Sequence, residues 1–499
     1  MSTSVKALLT APRKPDWPVL ALVWLGAALR LVNLGGQSLW LDELFSHFLA
    51  EGSLTSIISG TAADILPPFY YFLQHLMQSV VNDELGLRYV PWSSGTMTLP
   101  LLYIVARRLF GRPSALAALT LLAVNPLHII FAQEARMYTL LTFLTGLSWW
   151  FFLSAWRTGQ RRQWALFALT TIAAFYTHSL AFLNLAALDL VALTQRKQLR
   201  HRWSGLLAAH LAVGVAFLPW LLVIAAQAGR LGSEFAGGGF SPLTLLTALI
   251  MFLFGVNLPG AFVPLALFAS LTLLAFAAYT RVRVPAAARA GKRGLRFATI
   301  ALMVPLLGLL LLSLIQPIFV VRRVLPASLG LLLLLGWAVA RAKPRPLVLT
   351  MSAALIAATL AALPPFYLNP AAQKVPFEQV ASAVAATVQD GDGVVHATDT
   401  SALAFNYYAS ELPNYFLAGD PDYEAQTNRG RAQRIAGLRP MPLDQIRARH
   451  DRLWLIVTLD HNVDYQQARV EEFDRRFDLI DQRRIGGVDI LLYQINEPR

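Results

Sequence analysis

Two adjacent acids, Asp42 and Glu43, follow the first long apolar segment of the chain, in the sequence Trp40-Leu41-Asp42-Glu43. Few other carboxylates lie outside the loops and the C-terminal tail. A charged side chain at a membrane boundary is costly unless it has a partner or a function. A positioned carboxylate can take the proton of a hydroxyl that attacks an electrophile. The pair therefore predicts general-base chemistry on a substrate held at a membrane surface.

The composition is that of a membrane protein. Of the 499 residues, 56% are hydrophobic and only 14% are charged, whereas a soluble domain carries about 25% charged residues. The net charge of +13 does not indicate nucleic-acid binding, because the basic residues form short clusters between apolar segments. This pattern is typical of cytoplasmic loops. The chain has no cysteine, which excludes disulfides, thiolate metal sites and a cysteine nucleophile.

Hydrophobic segments predict about 11 membrane spans, since a spanning helix needs roughly 20 apolar residues. The predicted spans are 17–35, 88–107, 114–131, 138–156, 164–178, 180–195, 203–226, 260–280, 297–316, 324–340 and 346–363. With these spans all basic clusters lie on one face, which the positive-inside rule makes cytoplasmic. The clusters are Lys6/Arg13/Lys14, Arg107/Arg108/Arg112, Arg157/Arg161/Arg162, Arg196/Lys197/Arg200/Arg202, Arg281 to Arg296, and Arg341/Lys343/Arg345.

Two further apolar stretches, 65–81 and 242–256, must then not span the membrane, because either would move later basic clusters to the wrong face. We predict that they are helices at the outer interface, the first opening at Pro67-Pro68, where proline is tolerated. Four polar groups then meet on the external face. They are Asp42/Glu43, Gln133-Glu134-Ala135-Arg136, Tyr176-Thr177-His178 and Arg322-Arg323.

The last predicted span leaves residues 366–499 outside the membrane as a soluble domain, after a membrane domain of residues 1–365. This tail alternates strand-like and helix-like runs, which predicts a small α/β domain. The strand-like runs are Val394–Ala397, Leu453–Val457 and Ile490–Tyr493, and the helix-like runs are 376–389, 401–410 and 424–436. Asp390-Gly391-Asp392 lies between a helix and a strand, where these residues are ordinary turn formers.

Several short motifs together resemble a known family. They are Asp42-Glu43, Pro67-Pro68-Phe69-Tyr70, Arg107-Arg108-Leu109-Phe110-Gly111, Asn125-Pro126 and Gln133-Glu134-Ala135-Arg136-Met137-Tyr138. The chain resembles the polyprenol-phosphate-sugar-dependent glycosyltransferases of the GT-C fold. It is similar to glycosyltransferase family 39, to protein O-mannosyltransferases and to the lipid A aminoarabinose transferase. The resemblance covers residues 17–330. It departs at Leu66, where many relatives carry His or Lys, and at Arg322-Arg323, where relatives often show Arg-Tyr.

The resemblance implies roles for the acids. Asp42 is the expected general base, the alternative being a helix cap or an ion pair with Arg30. Glu43 is the second predicted catalytic residue. Neighbours on a helix do not share a face, so Glu43 is expected to orient Arg30 or the acceptor, the alternative being a solvated acid. Arg30 is expected to pair with Asp42 or Glu43, or to reach the interface.

The remaining predicted contacts concern the substrate. Arg136, Arg322 and Arg323 are expected to hold the donor phosphate, because guanidinium groups match phosphate oxygens. The alternatives are salt bridges between spans and contacts with lipid headgroups. Further predicted substrate-binding residues are Arg30, Glu134, Tyr70, Tyr71 and His178.

The resemblance implies inverting transfer of a monosaccharide from a polyprenyl-phosphate donor to an acceptor hydroxyl at the outer face of the bacterial cytoplasmic membrane. The acceptor is a glycan, a lipid or a protein; no nucleic acid is expected. No cofactor is required, although some wider relatives use divalent ions, which leaves a metal open. Two alternatives stand: a flippase of a lipid-linked sugar, which would need no base, and a ligase or polymerase using a diphosphate-linked oligosaccharide. The sequence does not determine the donor sugar, the acceptor or the oligomeric state.

Overall fold

The computed structural model describes residues 16–228, 242–256, 258–283, 289–369, 373–425, 427–458 and 462–495. The N-terminal basic cluster of Lys6, Arg13 and Lys14 lies outside these residues. The first helices are α1 (Trp17–Leu31), α2 (Leu41–Glu51), α3 (Leu54–Ala63), α4 (Phe69–Gln78), α5 (Glu84–Phe110), α6 (Arg112–Ala123), α7 (Pro126–Ala132), α8 (Tyr138–Thr158) and α9 (Arg161–Thr177). They are followed by α10 (Phe182–Leu193), α11 (Arg196–Ala228), α12 (Pro242–Phe254), α13 (Val263–Arg283), α14 (Arg289–Leu312), α15 (Leu325–Arg341), α16 (Arg345–Ala361) and α17 (Leu363–Leu368).

The chain is a polytopic helical membrane protein, and each predicted span coincides with a helix or with the pair α6–α7. Within the described ranges, five helices are long and apolar enough to cross a membrane, or six if the pair α6–α7, bent by 57°, is one span. Other predicted spans form shorter helices, such as α1 with 15 residues and α10 with 12. A helix rises about 1.5 Å per residue, so these do not reach the usual length of a span. The number of about 11 spans therefore remains a prediction.

The break between α6 and α7 has a local cause. Pro126 opens α7 and has no N–H to donate to the preceding turn, so the helix cannot continue through it. Asn125 caps the new helix, since its Oδ1 accepts a hydrogen bond from the backbone N of His128 at 3.0 Å. Its Nδ2 donates to the carbonyls of Phe252 (2.9 Å) and Leu253 (3.3 Å). The chain is thereby redirected to the turn at residues 133–137.

The two stretches predicted to lie at the interface form short helices. Residues 65–81 contain α4, with 10 residues, and residues 242–256 contain α12, with 13 residues. Both are shorter than the roughly 20 residues that a span needs. Their position at the outer membrane surface remains a prediction.

After α17 the chain alternates helices and strands. The elements are α18 (Phe377–Ala385), β1 (Asp392–His396), α19 (Asp399–Tyr408), β2 (Asn414–Leu417), α20 (Pro421–Glu424), α21 (Asn428–Ile435), β3 (Pro440–Met441), α22 (Leu443–Arg447), β4 (Arg452–Val457), α23 (Val463–Arg476), β5 (Asp478–Ile485) and β6 (Val488–Gln494). Within the described residues the strands form one sheet in the order β3-β2-β1-β4-β6-β5. The β1–β2, β1–β4 and β2–β3 pairs are parallel, and β6 pairs antiparallel with β4 and β5. The predicted strand-like runs overlap the neighbouring strands β1, β4 and β6.

This α/β part of the chain packs directly against the N-terminal end of α2. Leu39 and Leu44 are fully buried in one apolar cluster with Phe377 and Phe405 of the tail. The backbone N of Leu39 also donates to the hydroxyl of Tyr408 at 2.8 Å. Burial of apolar surface is the main favourable contribution to such packing. The tail is consequently held over the segment that carries Asp42.

Candidate active site

A cavity of about 560 Å³ lies where the helical part meets the tail. Its wall combines the start of α2, the loop before α4, the turn at the start of α8, the end of α9, the segment before α15 and the tail. The carboxylate, guanidinium and imidazole side chains that line it on the helical side are Asp42, Asp64, Arg136, His178, Arg322 and Arg323. All of these except Asp64 were predicted to meet from separate motifs, and the structure places them in one cavity.

Asp42 lies in the first turn of α2, and its carboxylate faces two guanidinium groups. Its Oδ2 is 3.8 Å from Nε of Arg136 and 3.7 Å from Nη2 of Arg322. These distances allow ionic attraction but exceed the 2.7–3.2 Å that is usual for an N–H···O hydrogen bond. Oδ2 is buried and has no hydrogen-bond partner among the described residues. The oxygen thus lies close to two cationic groups without accepting a hydrogen bond from either.

The arginines beside Asp42 are fixed by separate contacts. Nη1 of Arg136 donates to the carbonyl of Asp42 at 3.1 Å and to Oγ of Ser46 at 3.2 Å. The guanidinium of Arg322 lies 5.7 Å from the ring centroid of Tyr138 and 6.0 Å from that of Trp40, within the range of a cation–π contact. Both guanidinium groups therefore reach the cavity in defined orientations.

Arg323 adds a third guanidinium group beside Arg136 and Arg322. We call the side of the cavity formed by these three arginines the cationic wall. Arg323 follows Arg322 in a short 3-10 helix, Val321–Val324, and its Nη1 donates to the carbonyl of Ile318 at 2.6 Å. The side chains of Arg136, Arg322 and Arg323 carry three positive charges, and the carboxyl groups of Asp42 and Asp64 line the same side. Guanidinium groups bind phosphate oxygens through parallel N–H bonds, so this end of the cavity suits an anionic group.

Glu43 does not line the cavity, which corrects the prediction that it orients Arg30 or the acceptor. It is fully buried, and Nε and Nη2 of Arg88 donate to its two carboxylate oxygens, each at 2.9 Å. Nζ of Lys374 donates at 2.6 Å and the backbone N of Ala135 at 2.8 Å. Burial alone would raise the pKa of Glu43, but Lys374 and Arg88 outweigh it and lower the pKa to about 2. Glu43 joins three segments instead of contacting a substrate.

Arg30 also differs from its prediction. Its side chain is fully buried and donates to backbone carbonyls, from Nη1 to Gly26 (2.8 Å) and Ala123 (3.2 Å) and from Nη2 to Leu122 (3.0 Å). The predicted ion pair with Asp42 or Glu43 is therefore wrong. The last carbonyls of a helix lack intrahelical donors, and Arg30 supplies donors at the C-terminal end of α6, beside the break.

The other predicted contacts divide into two groups. His178 lines the cavity, and its Nδ1 accepts a hydrogen bond from the backbone N of Leu180 at 3.1 Å. Glu134 is 7% exposed and does not line it; burial raises its pKa to about 7. Tyr70 and Tyr71 are fully buried and are not among the lining residues. Their contact with a sugar or phosphate remains a prediction.

Comparison with known proteins identifies the fold. The model of the dolichyl-phosphate-mannose-protein mannosyltransferase family matches residues 66–222, a segment that includes Arg136 and His178. A crystal structure of ArnT from Cupriavidus metallidurans bound to undecaprenyl phosphate superposes with a TM-score of 0.63 at 14% identity, covering 96% of this chain and 98% of that one. The chain has the GT-C fold. No curated protein matches the GT-C chain in sequence.

Two further structures share the GT-C fold more distantly. The oligosaccharyltransferase AglB of Archaeoglobus fulgidus, in complex with an inhibitory peptide and a dolichol-phosphate, has a TM-score of 0.54 at 10% identity, covering 95% of this chain and 74% of that one. The mycobacterial arabinofuranosyltransferase AftD has a TM-score of 0.51 at 15% identity, covering 98% of this chain and 42% of that one.

The GT-C chain also carries cavity residues that the sequence did not single out. Asp64 lines the wall with Leu66, and burial raises the pKa of Asp64 to about 6. Gln227 of α11 reaches the same loop, donating to the carbonyls of Ala62 (2.9 Å) and Asp64. Asp64 precedes Pro67-Pro68 by three residues, so its place beside that motif was a usable signal. The residues contributed by the tail had no such signal.

The cavity wall also bears on metal binding. Among the residues that the structure describes, no three His, Asp or Glu side chains are grouped closely enough to hold a metal ion. Two carboxyl groups, those of Asp42 and Asp64, line the cavity.

Proposed function

We propose that this GT-C protein transfers a monosaccharide from a polyprenyl-phosphate donor to an acceptor hydroxyl, with inversion at the anomeric carbon. The observation that carries the proposal is the position of Asp42 Oδ2, 3.8 Å from Arg136 and 3.7 Å from Arg322 inside the cavity. A carboxylate beside a cationic wall can accept a proton while an anionic group is held next to it. This is the pairing that transfer from a phosphate-linked sugar requires.

The chemistry follows from the charges. The acceptor oxygen forms a bond to C1 of the donor sugar while the bond between C1 and the phosphate oxygen breaks. The acceptor proton passes to Oδ2 of Asp42 as the nucleophile attacks. The leaving polyprenyl phosphate carries the electron pair away and is stabilised by Arg136, Arg322 and Arg323, because preorganised positive charge acts where negative charge develops. The phosphate leaves without protonation, so no general acid is needed.

The comparisons support the class of donor. The ArnT structure contains undecaprenyl phosphate, the AglB structure contains a dolichol-phosphate, and the matching family model is described as dolichyl-phosphate-mannose dependent. These three ligands or substrates are polyprenyl phosphates or their sugar conjugates. The three arginines at one end of the cavity, Arg136, Arg322 and Arg323, suit the phosphate that these molecules share.

We place the active site at the outer face of the bacterial cytoplasmic membrane. Tyr138 and Arg322 lie at the cavity, at the start of α8 and just before α15. The opposite ends of these helices carry Arg157 and Arg341 in their last turns. Basic helix ends mark the cytoplasmic side, so the cavity and the tail belong to the other side.

Release of free polyprenyl phosphate tests the function. Purified protein is incubated with a panel of polyprenyl-phosphate monosaccharides and native membrane extract as the acceptor source, with and without EDTA. We expect Asp42→Asn to lower the rate on the order of 10²- to 10⁴-fold while donor binding is retained. Glu51→Gln is the matched control, because Glu51 lies on the same helix with a side chain 46% exposed and outside the cavity.

Each result has a distinct meaning. Release by the wild type and by Glu51→Gln, but not by Asp42→Asn, supports the transferase and its base. Transbilayer movement of the donor without release, unchanged in Asp42→Asn, would instead indicate a flippase. Loss of release on addition of EDTA, restored by a divalent ion, would add a metal to the scheme.

A further inference from the structure

The tail supplies a polar wall to the same cavity, opposite the arginines of the helical part. Asp399 begins α19, Asp422 lies in α20, and Arg429 and Gln433 lie on α21. Residues four apart on a helix share a face, so Arg429 and Gln433 reach the cavity together. The cavity is thus closed by side chains from two parts of the chain that are remote in sequence.

This wall is built differently from the cationic wall. Nη2 of Arg429 donates to Oδ1 of Asp399 at 2.6 Å, and its Nε lies 3.8 Å from Oδ2 of Asp422. Asn462 donates from Nδ2 to the same Oδ2 at 3.1 Å. Two carboxylates therefore share one guanidinium group, and this end of the cavity carries no excess of positive charge for a phosphate.

Gln433 gives the wall an unused acceptor. Its side chain is 1% exposed, and its Nε2 is fixed by donation to Oδ2 of Asp420 at 3.1 Å. Its Oε1 is buried and has no hydrogen-bond partner in the described part of the chain, although the residue lines the cavity. A buried polar atom without a partner costs about as much as a lost hydrogen bond. A bound group that donates to Oε1 would remove this cost.

We propose that Asp422, Arg429 and Gln433 form the acceptor subsite and bind the hydroxyl groups of an acceptor sugar. The inference rests on the proposed function, since it assigns the second substrate of the same reaction. Carboxylate and amide oxygens accept hydrogen bonds, whereas guanidinium only donates. A sugar hydroxyl both donates and accepts, so neighbouring hydroxyls satisfy all three residues at once.

A neutral sugar fits this wall better than a charged acceptor. Arg429 already faces both Asp399 and Asp422, so a cationic acceptor would have to compete with it for the carboxylates. An anionic acceptor would meet two carboxylates and the single, already paired Arg429. The polarity of the cavity then orders the two substrates, with the donor phosphate at Arg136 and Arg322 and the acceptor sugar at α20 and α21.

Kinetics with methyl glycosides as acceptor probes test the subsite. The donor is the polyprenyl-phosphate sugar that the wild type turns over, and the probes are methyl glycosides of common hexoses and pentoses, with serine and threonine peptides as the competing class. We expect Asp422→Asn and Gln433→Met each to raise the KM for the glycoside about tenfold, the effect of one lost hydrogen bond. The KM for the donor should stay within twofold.

The control is Glu424→Gln, which changes an exposed acid on the same short helix as Asp422, outside the cavity. It should leave both KM values unchanged. Thermal unfolding of each variant shows whether the tail remains folded. A variant whose unfolding temperature falls well below that of the wild type is replaced by Arg429→Lys. The same rise in the KM for the glycoside is expected for Arg429→Lys.

A second readout separates this inference from the proposed function. Binding of the methyl glycosides to the purified protein is measured by saturation-transfer NMR in the absence of donor. Binding that Asp422→Asn weakens supports the subsite even if no donor is turned over, an outcome that would overturn only the transferase. Donor turnover with peptides alone, or glycoside kinetics and binding that are unchanged in the variants, would overturn the subsite while leaving the transferase intact.

Discussion

At the scale of single residues, Asp42 and Glu43 are adjacent but have different surroundings. An α-helix has 3.6 residues per turn, so consecutive side chains point about 100° apart. Asp42 consequently faces the cavity, whereas Glu43 points to Arg88 and Lys374. One carboxylate lies in the proposed active site, and the other is buried in ion pairs that join separate segments.

This difference predicts opposite effects of two isosteric substitutions. Glu43→Gln should destabilise the protein by about 3–5 kcal/mol, because it leaves Arg88 and Lys374 buried without their counter-charge. Asp42→Asn should leave the unfolding temperature nearly unchanged, since its side chain is 27% exposed and its ion pairs are long. Thermal unfolding of both variants in the same detergent measures the contrast. Equal unfolding temperatures would contradict the structural role of Glu43.

At the scale of elements, the break between α6 and α7 sets where the turn at residues 133–137 lies. Arg30 donates to the carbonyls at the end of α6, and Asn125 caps α7 while donating to α12. The turn that follows carries Glu134 and Arg136. The geometry of the cationic wall therefore depends on a helix interruption that contains no substrate contact.

Substitutions at Asn125 test this dependence. Asn125→Ala removes the cap and the bonds to Phe252 and Leu253, which should cost about 2–4 kcal/mol. Asn125→Ser keeps a capping oxygen but not the amide donor, so it should cost roughly half as much. Unfolding temperatures should fall from the wild type to Asn125→Ser and then to Asn125→Ala. The KM for the donor should rise in the same order, because Arg136 loses its fixed position. An unchanged donor KM in Asn125→Ala would contradict the coupling.

At the scale of the whole molecule, the cavity exists only because the tail packs on the helical part. The contact combines Lys374 with Glu43, Tyr408 with the backbone of Leu39, and an apolar cluster that both parts share. The arginines that line the helical side outnumber the carboxylates there, whereas the carboxylates that line the tail side outnumber the arginine there. This polarity is a property of the assembled chain and of neither part alone.

Glu134 should make a pH-dependent contribution of defined direction to the stability of the whole molecule. Burial raises the pKa of Glu134 from 4.5 to about 7, although Lys374 and Arg322 oppose this effect and Glu43 and Asp42 add to it. An acid with a raised pKa stabilises the fold fully below its unfolded pKa and loses that contribution as pH rises through the folded value. The loss between pH 4.5 and 7 is up to about 3 kcal/mol. Glu43, with a pKa of about 2, acts oppositely and only below pH 4.5.

Unfolding temperatures of the wild type and of Glu134→Gln from pH 5 to 8 check this prediction. The wild type should lose stability relative to Glu134→Gln as pH rises, because the amide does not titrate. The prediction concerns this difference, since buried His47 and His396, whose pKa values burial lowers to about 4 and about 3, add stability with rising pH over the lower part of the range. Asp64, whose pKa burial raises to about 6, should give a smaller difference of the same sign in Asp64→Asn. A difference between wild type and Glu134→Gln that does not change with pH would contradict the raised pKa of Glu134.

The sequence predicted a substantial part of the site. Asp42, Arg136, His178, Arg322 and Arg323 line one cavity, as expected from charged groups that share one membrane face. The sequence did not predict the partners of Glu43 or Arg30, because Arg88 and Lys374 lie in segments with no motif. Asp422, Arg429 and Gln433 were missed because they lie in polar runs that resemble any exposed helix.

What the sequence determined by itself was the membrane class, the positions of the helices and the strand-like runs of the tail. Hydrophobic length and period are local properties, so they can be read without knowing which segments touch. What the tertiary structure decided was the direction of each side chain, hence that Asp42 faces the cavity and Glu43 does not, and that the tail completes the wall. Those outcomes depend on contacts between residues hundreds of positions apart, such as Lys374 with Glu43, which no local pattern encodes.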